Sequence, residues 1–273
     1  MMPRSFQRLV PICVGVFALL WMSAAARAQN SPPGGVAETA PVPANQIPKY
    51  VSDAVNSPGR PAADRALDAG RQPAQILTFF GIKPGMQVAD IFAGGGYTTE
   101  LLSRVVGPTG KVYSQNGPFP PQFAKVKAAY DARMKEPAMS NVVAVSKPFN
   151  ASDMLPVPPG SLDAVIIHEN YHDLVGHHLS PDNVNAQVFK ALKPGGFYCV
   201  VDHSAANGSG DRDAATLHRI DENFEIQQIE KAGFKLAAAS SALRHPEDDR
   251  TWIVFKKRGQ TDRFMLKFVK PAS

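Results

Sequence analysis

Six consecutive residues, 168–173 (HENYHD), bring together side chains that could carry out proton transfer and hold a small molecule. An imidazole titrates near pH 6.5 when unperturbed, so it can accept a proton at neutral pH. His172 is therefore the predicted general base. Tyr171 could pack against a bound acceptor or a cation, because an aromatic face attracts positive charge. Asn170 is expected to help position the acceptor, and the alternative for each residue is a purely structural role.

The histidines of this chain are also placed where a metal site has to be considered. All seven lie between His168 and His245. The side chains that could include three ligands are His168, His172, Asp173, His177, His178 and His203. Neither an HExxH pattern nor a cysteine-containing zinc spacing is present. The sequence therefore predicts no metal site, and Asp173 or Glu169 is expected to orient the His172 ring instead.

A second stretch, 88–99 (VADIFAGGGYTT), predicts a buried strand that ends in three glycines and leads directly into a helix. Gly94, Gly95 and Gly96 allow a sharp turn and the close approach of a ligand to the backbone. Free N–H groups at the start of the helix suit a carboxylate or a phosphate. The stretch lacks the GxGxxG spacing of dinucleotide sites and the GK[ST] ending of a P-loop. A tight turn without a ligand is the alternative.

The elements that must position these residues alternate between strand and helix. Apolar runs predict strands at 86–92, 111–114, 142–146, 163–168, 197–202, 235–243 and 263–269. Helical patterns occur at 62–69, 73–80, 98–106, 121–135, 182–192 and 221–232, and 251–256 fits either a strand or a helical turn. This order predicts an α/β fold with a Rossmann-like, mainly parallel, seven-stranded sheet, helices on both faces and an antiparallel C-terminal edge.

The glycine stretch resembles a known motif. Asp90-x-Phe92-x-Gly94-x-Gly96 is similar to the first motif of class I S-adenosylmethionine-dependent methyltransferases, with Phe92 where that motif usually has its first glycine. Residues 161–166 and 192–197 resemble the family's fourth strand and the turn before its fifth strand. More closely, the chain resembles exported bacterial proteins described as predicted methyltransferases. The stretches that carry this second resemblance are 60–65, 170–173 and 258–264.

The resemblance implies a cofactor, S-adenosylmethionine, held over the carboxyl ends of the first four strands. It implies that residues 94–96 face the amino-acid end of the cofactor, that Asp90 supports this loop, and that Asp153 meets the adenine. The family usually has an acidic residue at the end of the second strand that binds the ribose hydroxyls. This chain has Gln115 and Asn116 there, which are expected to supply neutral hydrogen bonds instead.

The resemblance favours S-adenosylmethionine-dependent methyl transfer to an unknown acceptor in the periplasm. The alternative is a non-catalytic periplasmic module that binds a ligand on the same fold. This alternative has a physical basis, because the cofactor is made in the cytoplasm and because the ribose-binding acid is missing. A nicotinamide-dependent oxidoreductase is a weaker interpretation, since the GxGxxG spacing is absent as well.

The first 28 residues have the pattern of a secretory signal peptide. Arg4 and Arg8 precede an apolar run at 9–22, and residues 26–28 (ARA) form a small-x-small cleavage pattern. We expect cleavage before Gln29 and a periplasmic or secreted mature protein. An uncleaved anchor is the alternative, although the apolar run is shorter than the roughly 20 residues of a membrane span.

Composition then sets the remaining expectations. Residues 29–58, rich in Pro, Ala and Gly, predict a disordered spacer before a methyltransferase-like domain at 59–273. Removal of the signal would lower the formal charge from +5 to +2, because the segment holds Arg4, Arg8 and Arg27 and no acidic residue. So small a surplus does not predict nucleic-acid binding. We expect no membrane association after cleavage and no intramolecular disulfide, because Cys199 would be the only cysteine left.

Overall fold

The computed structural model describes residues 35–272. The predicted signal peptide at 1–28 and its cleavage site before Gln29 lie outside this range. Within residues 35–272, the helices are all too short or too polar to cross a membrane.

A single eight-stranded sheet forms the centre of the described chain. Its strands are β1 (Glu38–Thr39), β2 (Gln87–Ile91), β3 (Lys111–Asn116), β4 (Val142–Ser146), β5 (Leu162–His168), β6 (Leu192–His203), β7 (Lys235–Ser240) and β8 (Arg263–Val269). They lie in the order β1-β7-β8-β6-β5-β2-β3-β4. Only β8 pairs antiparallel with its neighbours, β6 and β7. The predicted Rossmann-like class is thereby confirmed. The antiparallel strand, β8, lies between β7 and β6 rather than at the edge of the sheet.

Helices cover both faces of the sheet. They are α1 (Lys49–Val55), α2 (Ala62–Arg65), α3 (Asp68–Arg71), α4 (Pro73–Phe80), α5 (Tyr97–Val106), α6 (Ala124–Arg133), α7 (Tyr171–Gly176), α8 (Pro181–Ala191), α9 (Ala214–Leu217) and α10 (Glu222–Lys231). Short 3₁₀ turns occupy Ala44–Gln46, Pro121–Phe123, Pro137–Met139 and Val254–Lys257. The segment predicted at 251–256 as a strand or a helical turn is thus a helical turn.

Strand periodicity explains why the core has two layers. Side chains alternate between the faces of a strand. In β5, Val165 and Ile167 join one apolar cluster, whereas Ala164 and Ile166 join the other. All four are fully buried. The strand therefore reads as a continuous apolar run, as expected for a parallel strand covered on both sides.

Residues 38–55, within the predicted disordered spacer, are ordered, so that prediction is wrong for this stretch. The two residues of β1 pair in parallel with Ala239 and Ser240 of β7 and add an eighth strand to the predicted seven. Helix α1 buries Val51 and Ala54 in the core cluster that also contains Leu77. Composition missed these elements because their stability comes from tertiary contacts rather than from local propensity.

The topology brings three polar chain segments to one edge of the sheet. Strands β2, β5 and β6 are neighbours and run in the same direction, so their carboxyl ends lie together. The glycine stretch follows β2, residues 168–173 begin at the end of β5, and His203 ends β6. Open α/β sheets bind ligands at this edge.

Candidate functional site

A cleft of about 380 Å³ opens at the carboxyl ends of β5 and β6. It is lined by Ala66, Leu67, Gly70, Arg71, His168, Glu169, Asn170, His172, Asp173, His203, His218, Val254, Phe255, Arg258, Gly259 and Arg263. The chain before β2 and the chain before β8 thus form walls around residues that the sheet presents. The stretches 60–65, 170–173 and 258–264, which carry the closer resemblance, lie in or beside these walls.

The glycine loop, residues 92–96, keeps an open face beside the sheet edge. A Cβ added to Gly94 or Gly95 would meet no atom within 4 Å, whereas one on Gly96 would lie 2.9 Å from the Arg133 side chain. Gly94 and Gly96 have φ values of +56° and +84°, which L side chains rarely adopt. Phe92 is also left-handed, with a φ of +57°. Such non-glycine strain concentrates at functional sites.

Two buried amides hold the glycine loop in place. The Gly94 N–H donates to Asn116 Oδ1 at 2.9 Å, and the Asn116 amide returns a bond to the Gly94 carbonyl at 3.3 Å. The Phe92 N–H donates to Gln115 Oε1 at 3.4 Å, and Gln115 Nε2 donates to the Lys147 carbonyl at 3.0 Å. Gln115 and Asn116 therefore shape the loop. Their predicted bonds to a ribose would compete with these contacts.

Asp90 anchors the strand that leads into this loop. It is 1% exposed and accepts a hydrogen bond from the Thr99 hydroxyl at 2.5 Å. Thr99 also bonds Ser114, which bonds the Tyr130 hydroxyl, each at 2.9 Å. Burial raises the pKa of Asp90 to about 7, partly offset by the Thr99 bond. Asp90 thus ties β2 to α5, and its role in supporting a cofactor loop stays a prediction.

Asp153, the predicted adenine contact, lies apart from the cleft. Its side chain is 62% exposed and forms an ion pair with Lys147. It lines a separate depression of about 90 Å³ with residues of α8, such as Gln187. In this arrangement Asp153 meets solvent, so the structure does not bring it together with the residues of the cleft.

Direct hydrogen bonds connect the glycine loop to the cleft. Asn170 Nδ2 donates to the Phe92 carbonyl at 3.1 Å and to the His168 carbonyl at 2.9 Å. His168 Nδ1 lies 2.9 Å from the Thr98 hydroxyl in the first turn of α5. Its buried Nε2 has no hydrogen-bond partner among the described residues. Burial lowers the pKa of His168 to about 4, so the ring is neutral and leaves one nitrogen for a ligand.

His172 is fixed by a carboxylate on the neighbouring strand. Its Nδ1 lies 2.6 Å from Asp202 Oδ1, and its backbone N–H donates to Asp202 Oδ2 at 2.8 Å. Asp202, rather than the predicted Asp173 or Glu169, is thus the main orienting group. Burial alone would lower the pKa of His172, but Asp202, Asp173 and Glu169 together raise it above the ordinary value. Because Nδ1 donates to a carboxylate, Nε2 is the nitrogen left to accept a proton or bind a metal.

Tyr171 points away from this site, so its predicted contact with an acceptor or a cation is wrong. The residue is fully buried in the core, and its hydroxyl accepts a hydrogen bond from Asn185 at 2.8 Å. The reason is helical geometry. Tyr171 and His172 are successive residues of α7, so their side chains point in different directions around the helix, and only His172 faces the cleft.

Asp173 is surrounded by imidazoles. Its Oδ1 lies 2.9 Å from His218 Nδ1, 3.4 Å from His172 Nε2 and 3.5 Å from His177 Nε2. Burial would raise the pKa of Asp173, but these rings bring it below its usual value. His218 and Asp173 both line the cleft, whereas the His177 side chain is 51% exposed.

Glu169 closes the opposite part of the cleft through ion pairs. Arg263 donates to its Oε1 at 2.7 Å, and Arg71 lies 3.6 Å from its Oε2. Burial would raise the pKa of Glu169, but the surrounding histidines and arginines bring it well below the ordinary value. The residue has a φ of +57°, which adds a second strained position at the sheet edge.

Two residues of the site, one in the cleft wall and one buried beside it, could not be assigned from local sequence pattern. His218 is 45 positions from Asp173 and follows a helix of only four residues. Asp202, the next-to-last residue of β6, is fully buried and contacts the cleft through His172. The signal that could have identified Asp202 is a charged residue inside a buried strand, since a buried carboxylate needs a hydrogen-bonding partner.

A protein-family model supports a relationship to methyltransferases. The model for protein-L-isoaspartate(D-aspartate) O-methyltransferase matches residues 54–143, which include the glycine loop. The ubiquinone/menaquinone biosynthesis C-methyltransferase of Erwinia tasmaniensis is 25% identical over 172 residues. That match covers 62% of this chain and spans 64% of the relative's length.

Solved structures share the fold. A SAM-dependent methyltransferase from Aquifex aeolicus has a TM-score of 0.55 at 19% identity, covering 77% of this chain and 98% of its own. An arsenic(III) S-adenosylmethionine methyltransferase from Chlamydomonas reinhardtii has a TM-score of 0.53 at 18% identity, covering 82% of this chain and 74% of its own. At these identities the likeness concerns the fold.

Proposed function

We propose that this chain, a member of the class I S-adenosylmethionine-dependent methyltransferase superfamily, transfers a methyl group to a small acceptor in the cleft. The observation that carries the proposal is a hydrogen bond that directly connects the glycine loop with the cleft. Asn170 joins a glycine loop with an open face to a cleft of imidazoles and carboxylates. One surface suits the donor and the other suits an acceptor that loses a proton.

The residues of the glycine loop fit the donor. S-adenosylmethionine supplies a methyl group on a positively charged sulfur. Gly94 and Gly95 would hold its amino-acid end, because no neighbouring atom fills the space beside their Cα atoms. The N–H groups that begin α5 can receive its carboxylate. The end of β3 fits the ribose of the donor less closely, since Asn116 has no charge and is bonded to Gly94.

The acceptor would lie in the cleft, where His172 receives its proton. Asp202 fixes the ring, so His172 Nε2 is presented without further rearrangement. A correctly placed base contributes about 10²–10⁴-fold to a rate, and holding the reactants in line contributes the rest. Asn170 holds the glycine loop against the cleft through its bond to the Phe92 carbonyl, which supports its predicted positioning role.

We further propose that the reaction takes place in the periplasm. The support is the order of basic, apolar and small residues in 1–28. The acceptor is unknown and is expected to be neither a nucleic acid nor a membrane. A non-catalytic ligand-binding module is the second candidate, favoured by the use of both the Gln115 and Asn116 amides inside the protein.

Formation of S-adenosylhomocysteine tests the proposal. Purified protein would be incubated with S-adenosylmethionine and, one at a time, with thiols, phenols, amines and carboxylic acids. We expect one acceptor class to give product, and His172→Ala to reduce its turnover by about 10²–10⁴-fold. His245→Ala is the control, because His245 pairs with Glu247 at the surface. Binding of S-adenosylmethionine without any product across the panel would favour the binding module.

A further inference from the structure

Three imidazole nitrogens converge on one carboxylate oxygen in the wall of the cleft. The distances from Asp173 Oδ1 are 2.9 Å to His218, 3.4 Å to His172 and 3.5 Å to His177. The ligand-type atoms of His172, Asp173 and His218 all lie within 4.8 Å of one another. In the described part of the chain, no lysine or arginine forms an ion pair with Asp173, and its charged partners are these imidazoles.

These separations are close to those of a tetrahedral zinc site. Zinc binds histidine nitrogen and carboxylate oxygen at about 2.0–2.2 Å. Tetrahedral geometry then places neighbouring ligand atoms about 3.3–3.6 Å apart. The 3.4 Å between His172 and Asp173 agrees with this value. His218 is now hydrogen-bonded to Asp173 at 2.9 Å, so metal binding would lengthen this separation by a few tenths of an ångström and bring His218 and His172, within 4.8 Å of each other, to the ligand spacing.

A second carboxylate orients one of these rings. Asp202 is fully buried and accepts from both Nδ1 and the backbone N–H of His172. Histidines that bind metals commonly donate their other ring N–H to a carboxylate, which fixes the tautomer and leaves a lone pair for the metal. Asp202 thus stands in the position of an outer-sphere carboxylate.

The fold brings His218 to this cluster through a close helix contact. A Cβ on Gly176, the last residue of α7, would lie 2.6 Å from the backbone nitrogen of Ala215. Only glycine allows α9 to lie so near α7, and His218 directly follows α9. His218 itself takes a left-handed φ of +55°. The last ring, His177, is at the rim of the group and half exposed.

We propose that His172, Asp173 and His218 bind a divalent transition metal, with Zn²⁺ as the best match, and that His177 can join them. Two imidazoles and one carboxylate suit zinc. Because these three residues line the cleft, the metal would keep a position open to it, as catalytic rather than structural zinc sites do.

The consequence for chemistry rests on the proposed function. A metal in the cleft would bind an acceptor hydroxyl or thiol and lower the pKa of that group. The acceptor would then lose its proton to solvent and present an anion to the methyl donor. His172 Nε2 would be a ligand in that state, so its role as a base belongs to the metal-free protein. With such a metal bound, we expect acceptors that are methylated on oxygen or sulfur, because these atoms can bind the metal, rather than acceptors methylated on carbon.

Metal titration of the full chain, expressed without a histidine tag and stripped with a chelator, tests the site. We expect Zn²⁺ to bind one per chain by calorimetry, and Co²⁺ to give the intense visible absorption of a tetrahedral site. Asp173→Asn and His218→Ala should each weaken binding by more than about 100-fold, whereas Asp202→Asn should weaken it by about 10–100-fold. His245→Ala, a surface control, should bind as the wild type does.

Asp173→Asn is nearly isosteric and keeps an oxygen for His218, so it serves as the variant expected to fold. Circular dichroism would verify this for each protein. No binding by the wild type, or equal binding by wild type, Asp173→Asn and His218→Ala, would overturn the metal site. Titration of the same stripped samples with S-adenosylmethionine separates the two proposals, because the glycine loop shares no residue with the metal cluster.

Discussion

His172 and Asp202 form a buried pair in which one carboxylate receives both the side chain and the backbone of the histidine. Nδ1 lies 2.6 Å from Oδ1, and the backbone N–H donates to Oδ2 at 2.8 Å. The pair joins α7 to the end of β6. The Asp202 carboxylate therefore fixes the His172 ring through Nδ1 and leaves Nε2 for the cleft. The other imidazole of segment 168–173, His168, bonds a hydroxyl instead.

Asp202→Asn should lower turnover by about 10²–10⁴-fold, almost as much as removal of the imidazole. The Asp202 carboxylate accepts from three N–H groups: His172 Nδ1 and the backbone N–H groups of His172 and His203. The asparagine oxygen can accept on one side of the group, but its NH₂ would face an N–H donor on the other side. The ring would then turn or change tautomer. Stability should fall by about 1–3 kcal/mol through the unsatisfied donor. Single-turnover rates, normalised to folded protein, provide the measurement, and a normal rate would remove Asp202 from the catalytic machinery.

Tyr171→Phe should lower stability and leave catalysis intact. The substitution removes the oxygen that accepts the shorter of the two bonds from Asn185 Nδ2, which keeps only the 3.4 Å bond to the Gln228 carbonyl, at a cost of about 1–2 kcal/mol. The melting temperature should fall while turnover per folded molecule stays equal to that of the wild type. A large loss of turnover in a variant of normal stability would instead show that Tyr171 takes part in catalysis.

The sequence was sufficient to predict the sheet and the position of residues 168–173 at its edge, because both depend on local pattern. The apolar run of β5 and the polar stretch after it are adjacent in the chain, so the position of His172 at the sheet edge followed directly. The direction of Tyr171 did not follow, because it depends on where α7 begins. His218 and β1 could not be predicted, since each is positioned by contacts with distant parts of the chain, such as Asp173 and Ala239.

Asp90 should make the folding free energy depend on pH. Its pKa of about 7 in the folded chain lies above that of the unfolded chain, so its contribution is fully present at low pH and is lost as the pH rises to about 7. Between pH 4 and 7 the loss approaches about 1.4 kcal/mol per pH unit. Asp90→Asn should remove this dependence. Urea unfolding of both proteins at several pH values would show it, and a difference that is constant with pH would contradict it.

The mature chain should begin at Gln29. The basic, apolar and small-residue order of 1–28 predicts export and cleavage after Ala28. Intact-mass measurement of the protein from a periplasmic extract should match residues 29–273. A mass that includes Met1, with the protein in the membrane fraction, would instead identify the segment as an anchor.

Calorimetric titration with S-adenosylmethionine tests the proposed function most directly, with wild type, Gly95→Ala and Gly95→Val compared. The Cβ of residue 95 meets no protein atom within 4 Å, so both variants should fold with nearly unchanged melting temperatures. The space it enters is the space assigned to the donor. We predict one binding site in the wild type, weaker binding in Gly95→Ala and none in Gly95→Val. Absence of binding in the wild type, or equal binding by all three proteins, would contradict donor binding at this loop.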